Sequence, residues 1–210
     1  MIPKILEDVA EAVRKEKIVI SNTGSGEGRH ESLLDEGSVV SFLESHPDLG
    51  KYCRGQLPRR FGDMIVTDYD GITEYVVNIK TSLGGTDNAT SKIGFLYALT
   101  DMEPEEMPGN MSWEKFMELL NSRKADIPTK DYWFLCVDKN DSSNVMIRGT
   151  KQINCWHENP TNLLQIAWKN EKTLLAIERT YDEAYEVLVG GIKRCLQKAH
   201  DRLPVELRPV

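Results

Sequence analysis

The sequence predicts an α/β (α+β) chain, and three observations carry that prediction. Apolar residues recur at helical spacing over 3–16, 31–45, 112–123 and 180–199. Between these stretches lie runs of strand composition, foremost the pair flanking Asp70-Gly71. Asp131 to Asp138 is a nearly continuous apolar run of strand length, as expected for a central strand covered on both faces.

Each element has its own residues behind it. Ile2, Ile5, Leu6, Val9 and Val13 give the first helix its stripe, and Lys17 to Ile20 are either its end or a short strand. Ser21 to Gly28 is polar and glycine-rich, suited to a surface loop or to a loop that orders on phosphates. It is no P-loop, because no Gly-Lys-Ser/Thr follows. The second helix turns Leu33, Leu34, Val40 and Leu43 inward and stops before Pro47. A loop over 83–90 leads to a helix over 91–100, with Thr90 or Ser91 as its cap and Ile93, Leu96 and Tyr97 as its stripe. The acidic, proline-bearing stretch 101–111 precedes a helix capped by Ser112. Residues 140–144 read as a turn, Val145 to Arg148 as a strand with Ile153 to Trp156 as its candidate extension, and 159–168 as a segment ending in a further strand. Thr180-Tyr181-Asp182-Glu183 matches a capping box for the last helix, which contains Gly190-Gly191.

At 210 residues the chain suits a single domain over 1–210, with room for a small helical subdomain over 101–128. No apolar run reaches the ~20 residues of a membrane span, and the start at Met1-Ile2-Pro3-Lys4 lacks the pattern of a signal peptide. Cys53, Cys136, Cys155 and Cys195 form no CxxC pair, so a reducing cytoplasm is the expected compartment. The net charge of −7 argues against a generally basic nucleic-acid binder. A local basic lining remains available at Arg54, Arg59 and Arg60, at Lys151, and along Lys193, Arg194, Lys198 and Arg202.

The most informative stretch is Phe61 to Ser82. An Asp-Gly link between two β-rich runs predicts a hairpin with a two-residue type I′ turn. Opposed residue numbers then sum to 141, so Thr67 faces Glu74, Ile65 faces Val76 and Asp63 faces Asn78. Lys80 lies two residues beyond Asn78 and shares its face. A carboxylate, an amide oxygen and an ammonium thus converge at the open end of the hairpin.

These residues resemble the signature of the PD-(D/E)XK nucleases, the superfamily that holds most type II restriction endonucleases. The signature here is Gly62-Asp63, fourteen residues, then Asn78-Ile79-Lys80, with Thr81-Ser82 ending the strand as in bacterial restriction enzymes. Gly62 stands where the family usually has Pro, and Asn78 where it usually has a second acid. The resemblance covers Glu31 to Leu99 well and implies a central mixed β-sheet of about five strands flanked by helices, restriction-endonuclease-like. It also implies Mg²⁺ as cofactor, held by Asp63, the Asn78 side chain and the Ile79 carbonyl. A Glu on the preceding helix completes such sites; Glu36 is the first choice and Glu31 the second. Asp63, Asn78, Lys80 and Glu36 are accordingly the expected catalytic set, with Lys80 orienting or deprotonating the attacking water.

DNA contacts are expected from Arg60, Thr81, Ser82, Asn88, Ser91 and Lys92, where Asn88 suits an adenine edge and Lys92 a phosphate. The expected partner is double-stranded DNA, cut by a homodimer, with a cognate DNA methyltransferase as biological counterpart and no membrane or nucleotide cofactor. The alternatives are a repair or structure-specific nuclease of the same fold, and a DNA-binding protein whose chemistry decayed, for which Asn78 is the motive.

Overall fold

A computed structural model describes residues 1–18, 28–56, 61–83, 85–88, 90, 92–100, 102–108, 111–122 and 130–202. In chain order the helices are α1 (Lys4–Glu16), α2 (Gly28–Ser45), α3 (Lys92–Thr100), α4 (Trp113–Ser122), α5 (Trp168–Glu171) and α6 (Tyr181–Asp201). The strands are β1 (Cys53–Gly55), β2 (Met64–Thr67), β3 (Glu74–Ser82), β4 (Thr86–Asn88), β5 (Tyr132–Asp138), β6 (Asp141–Gly149), β7 (Trp156–Asn159) and β8 (Leu163–Ala167). The chain divides into two compact units, the first made of 1–83 with 130–150, the second of 84–129 with 151–210.

The first unit holds a five-stranded sheet in the order β1-β2-β3-β5-β6, in which only the β3–β5 pair is parallel. This is the expected mixed sheet with helices against it. Strand alternation sends Met64, Val66, Val77, Ile79, Trp133, Leu135, Val137, Val145 and Ile147 to one face. There they form a single core with Ile5, Leu6, Val9 and Val13 of α1 and Val39 and Leu43 of α2. Leu34, expected inward, is 60% exposed, because the buried stripe of α2 runs through Val39 and Leu43 instead. Every residue of β5 is buried, as its apolar run requires of a strand next to the sheet's centre.

The hairpin keeps the expected register: Met64, Ile65, Val66 and Thr67 pair with Val77, Val76, Tyr75 and Glu74. Its turn differs. Among the described residues only Lys17 and Leu163 combine a side chain with positive φ, so Asp70 does not adopt the type I′ conformation. The chain closes instead through Gly71 N–H to Asp68 O at 2.9 Å and Asp68 N–H to Thr73 O at 2.7 Å. The cause is the Asp70 carboxylate, which accepts from the amides of Ile72 and Thr73, each at 2.8 Å, and so makes the right-handed turn self-satisfying. Elsewhere, β6 begins at Asp141 rather than Val145, because Lys139-Asn140 alone links it to β5.

The second unit contains the antiparallel sheet β4-β8-β7. Strand β4 lies in the stretch expected as loop, where short length and polar residues hide a strand that exists through pairing with β8. Ile153 to Trp156 do not extend β6; a helical turn at Thr150–Gln152 ends that strand, and Trp156 opens β7 of the other sheet. The expected helical stretch over 101–128 contains α4, capped by Ser112 Oγ accepting from Lys115 N–H at 3.1 Å. Thr180 and Glu183 form the expected capping box of α6. Tyr181 donates its hydroxyl to Leu99 O, and Tyr185 to Leu120 O at 2.8 Å, which tie α6 to the ends of α3 and α4.

Candidate active site

The site is built where β2 stops short of β3. The ladder ends at Met64–Val77, and Gly62 turns the chain with φ +82. A side chain at 62 would be strained by that φ, and its Cβ would lie 2.5 Å from Val76 Cγ1. Proline, fixed near −65°, cannot take this conformation, which accounts for glycine at the position. Asp63 N–H then donates to Val77 O at 2.9 Å rather than to the residue opposite. The Asp63 carboxylate takes the place of a backbone carbonyl and accepts from Ile79 N–H at 2.7 Å. Asp63 therefore leaves the ladder one step before the expected Asp63–Asn78 pair and is anchored to β3 at two points.

That anchoring also fixes a carbonyl. In a strand the N–H and C=O of one residue point to the same neighbour, so the Ile79 carbonyl opens to the side that Asp63 occupies. Asn78 and Lys80 point to the face opposite the core shared with α1 and α2, since Val77 and Ile79 are in that core. Asn78 Nδ2 donates to the Tyr132 hydroxyl at 3.1 Å. Its Oδ1 is buried and accepts no hydrogen bond from any described residue. An unpaired buried acceptor is uncommon and calls for a partner such as water or a cation.

Lys80 lies 3.6 Å from Glu36 of α2, with side-chain exposures of 23% and 12%. Helix α2 is fastened beside this contact by the adjacent Asp35, whose carboxylate accepts from Lys139 Nζ at 2.8 Å in a pair almost fully removed from water. Lys139 N–H in turn donates to Ser82 O at 2.9 Å, tying the helix to the carboxyl end of β3. Burial pushes the Asp63 carboxyl above the usual carboxylate range, while the Ile79 amide and the Lys80 charge pull it back in part.

Asp63, Asn78, Ile79, Lys80 and Glu36 thus lie in one unit, with Asp63 on the Ile79 amide and Glu36 beside Lys80. Their oxygens are hard donors: the Asp63 carboxylate, the unpaired amide oxygen of Asn78, the Ile79 carbonyl and Glu36. This donor set fits a single Mg²⁺ better than a pair, since it carries only two carboxylates, one of them facing Lys80. Among the described residues no three Asp, Glu, His or Cys side chains gather into a metal-holding group.

The expected DNA contacts fare differently. Thr81 and Ser82 are 6% and 5% exposed, and buried side chains are withheld from DNA. Lys92 donates to Met111 O at 2.6 Å and lies 3.9 Å from the centre of the Trp113 ring, so it is committed inside the second unit. Arg60 and Ser91 lie outside the described residues, as do the side chains of Glu31 and Asn88. Sequence reasoning missed Tyr132, Asp35 and Lys139 as supports of the site. The signal for Tyr132 was its place at the start of the buried run 132–138, but the parallel register that sets it beside Asn78 has no local signature. Comparison with protein-family models gives no match, and no curated protein matches the chain.

Proposed function

We propose that this chain is a Mg²⁺-dependent, sequence-specific endonuclease of double-stranded DNA that hydrolyses phosphodiester bonds, in the manner of type II restriction enzymes of the PD-(D/E)XK superfamily. The observation that carries the reading is the Asp63 carboxylate held on the Ile79 amide between Asn78, whose buried Oδ1 has no partner among the described residues, and Lys80, the four positions of the signature. A bound Mg²⁺ would supply charge neutralisation at the scissile phosphate and an acidified water. Asp63 and Asn78 would hold it, with the Ile79 carbonyl and Glu36 completing the oxygen set. Lys80 holds the attacking water in line and faces the negative charge that develops on the phosphate oxygens. Glu36, 3.6 Å away, keeps the ammonium from swinging out of the site.

The reading extends to a homodimer, because one such site cuts one strand and a second copy is needed for the other. It places the enzyme in the cytoplasm with a DNA methyltransferase as counterpart. The test is incubation with phage DNA and Mg²⁺, followed by sequencing of the ends. Asp63→Ala and Lys80→Ala should each lower cleavage by about 10²-fold or more with folding intact. Full activity in either variant discards the assignment. Asn78→Asp should keep measurable activity, because it restores a charged oxygen ligand.

Asn78 in place of the usual second acid favours one other reading, a DNA-binding protein whose chemistry has decayed. DNA retained in a gel without metal-dependent cuts, from a wild-type chain, selects it. A repair or structure-specific nuclease would instead leave plain duplex intact and cut mismatched, branched or nicked substrates.

A further inference from the structure

We infer that Tyr132 is a positioning residue for the metal site, acting by fixing which end of the Asn78 amide faces it. The inference rests on the reading above, since it gives Asn78 Oδ1 the task of binding a cation. An Asn side chain has two ends of nearly equal size and opposite polarity. Only the oxygen end attracts a cation, and an NH₂ pointed at one repels it. A carboxylate at position 78 would need no such orientation, because its two oxygens are equivalent. Asn therefore brings a requirement that the usual acid does not, and some neighbour has to meet it.

Tyr132 is built to do so. It opens β5 and pairs with Val76 across the parallel ladder, while Asn78 pairs with Phe134. Tyr132 and Asn78 are therefore diagonal neighbours on one face of the sheet. The Tyr132 hydroxyl accepts from Asn78 Nδ2 at 3.1 Å, which turns Oδ1 to the other side, where it has no protein donor among the described residues. Tyr132 itself is 3% exposed, and its ring packs at 5.1 Å from Phe61 and 5.4 Å from Phe134. Phe61 stands two residues before Asp63, so the same ring steadies the segment that carries the first ligand. One aromatic residue thus sets the orientation of one ligand and the seat of the other. Replacing its hydroxyl alone should separate the two tasks.

The experiment compares wild type, Tyr132→Phe, Asn78→Asp and the double variant. Mg²⁺ binding is titrated by calorimetry, with the metal dependence of cleavage read in parallel. Tyr132→Phe keeps the ring and should weaken Mg²⁺ binding by about tenfold, as loss of a partner that orients a metal ligand usually does. In the Asn78→Asp background the same change should cost no more than about twofold, because no amide is left to orient. Unchanged Mg²⁺ affinity in Tyr132→Phe overturns the inference. An equal loss in both backgrounds also overturns it, since that is the mark of a role in packing only. A wild-type chain that binds Mg²⁺ but leaves every DNA substrate intact removes the nuclease reading and leaves the four-way Mg²⁺ comparison decisive. A wild-type chain that binds no Mg²⁺ overturns the inference outright.

Discussion

Asp63 spends stability to hold its place. Its carboxyl sits above the ordinary range because burial opposes its charge more than the Ile79 amide and Lys80 support it. The folded state therefore holds this proton more tightly than the unfolded chain, where an Asp titrates near ~3.9. Below that value the group costs nothing; as pH rises through the raised folded value, stability is lost and stays lost at neutrality. Asp63→Asn keeps an oxygen for the Ile79 amide and removes the buried charge. The metal-free variant should melt a few degrees (~2–4 °C) above wild type at pH 7 and show no gain near pH 3, as followed by circular dichroism. A lower melting temperature at pH 7 would mean that the charge is stabilising as it stands. At this scale much of the site was legible. Strand alternation alone puts Asn78 and Lys80 on one face, and the Asp-Gly link alone gives the register that brings Asp63 near. Tyr132 was not legible, because its partner is 54 positions away in sequence and the parallel pairing of β3 with β5 leaves no local trace.

Among the elements, α6 separates two glycines that look alike in sequence. A Cβ on Gly191 would lie 2.9 Å from Leu164 Cδ2, against a fully buried side chain of β8. A Cβ on Gly190 would meet only Arg194 Nη1 at 3.3 Å, the end of a flexible side chain. Gly190→Ala should therefore gain about 1 kcal/mol from helix propensity. Gly191→Ala should lose that gain to overpacking, which costs about 1–3 kcal/mol. Urea denaturation of the two variants checks this, and equal responses would show that the helix does not rest on Leu164. Nothing in the sequence distinguishes the two glycines, since the difference depends on which side of the helix meets β8. The same lesson holds in the hairpin turn. Asp70 signals a turn through its type, yet its carboxylate, by collecting the amides of Ile72 and Thr73, selects a different turn from the one its pairing with glycine suggests.

At the scale of the whole molecule, the unit that carries the candidate site is assembled from two separated stretches, 1–83 and 130–150. The second stretch supplies β5 and β6, and β5 is the strand beside β3 in the middle of the five-stranded sheet. A fragment ending at residue 129 should thus fail to unfold cooperatively, because one whole side of β3 loses its partner strand and the fully buried Val77 and Ile79 lose the β5 and β6 side of their core. A cooperative thermal transition in that fragment, measured by calorimetry, would show that β1, β2 and β3 suffice. The fold class was legible because the helical stripes and the apolar run of β5 are strong and local. The division into two units was not, since the second sheet depends on short strands such as β4 that take their form only from their partners.

The short β2 has one more consequence. Along most of β3 the amides on that side are held by backbone carbonyls of a neighbouring strand, but the Ile79 amide is held by a side chain that can gain a proton. Its rate of hydrogen exchange is therefore tied to the charge on a single carboxylate. That makes the Ile79 amide a native spectroscopic gauge of Asp63, readable without substrate, label or turnover.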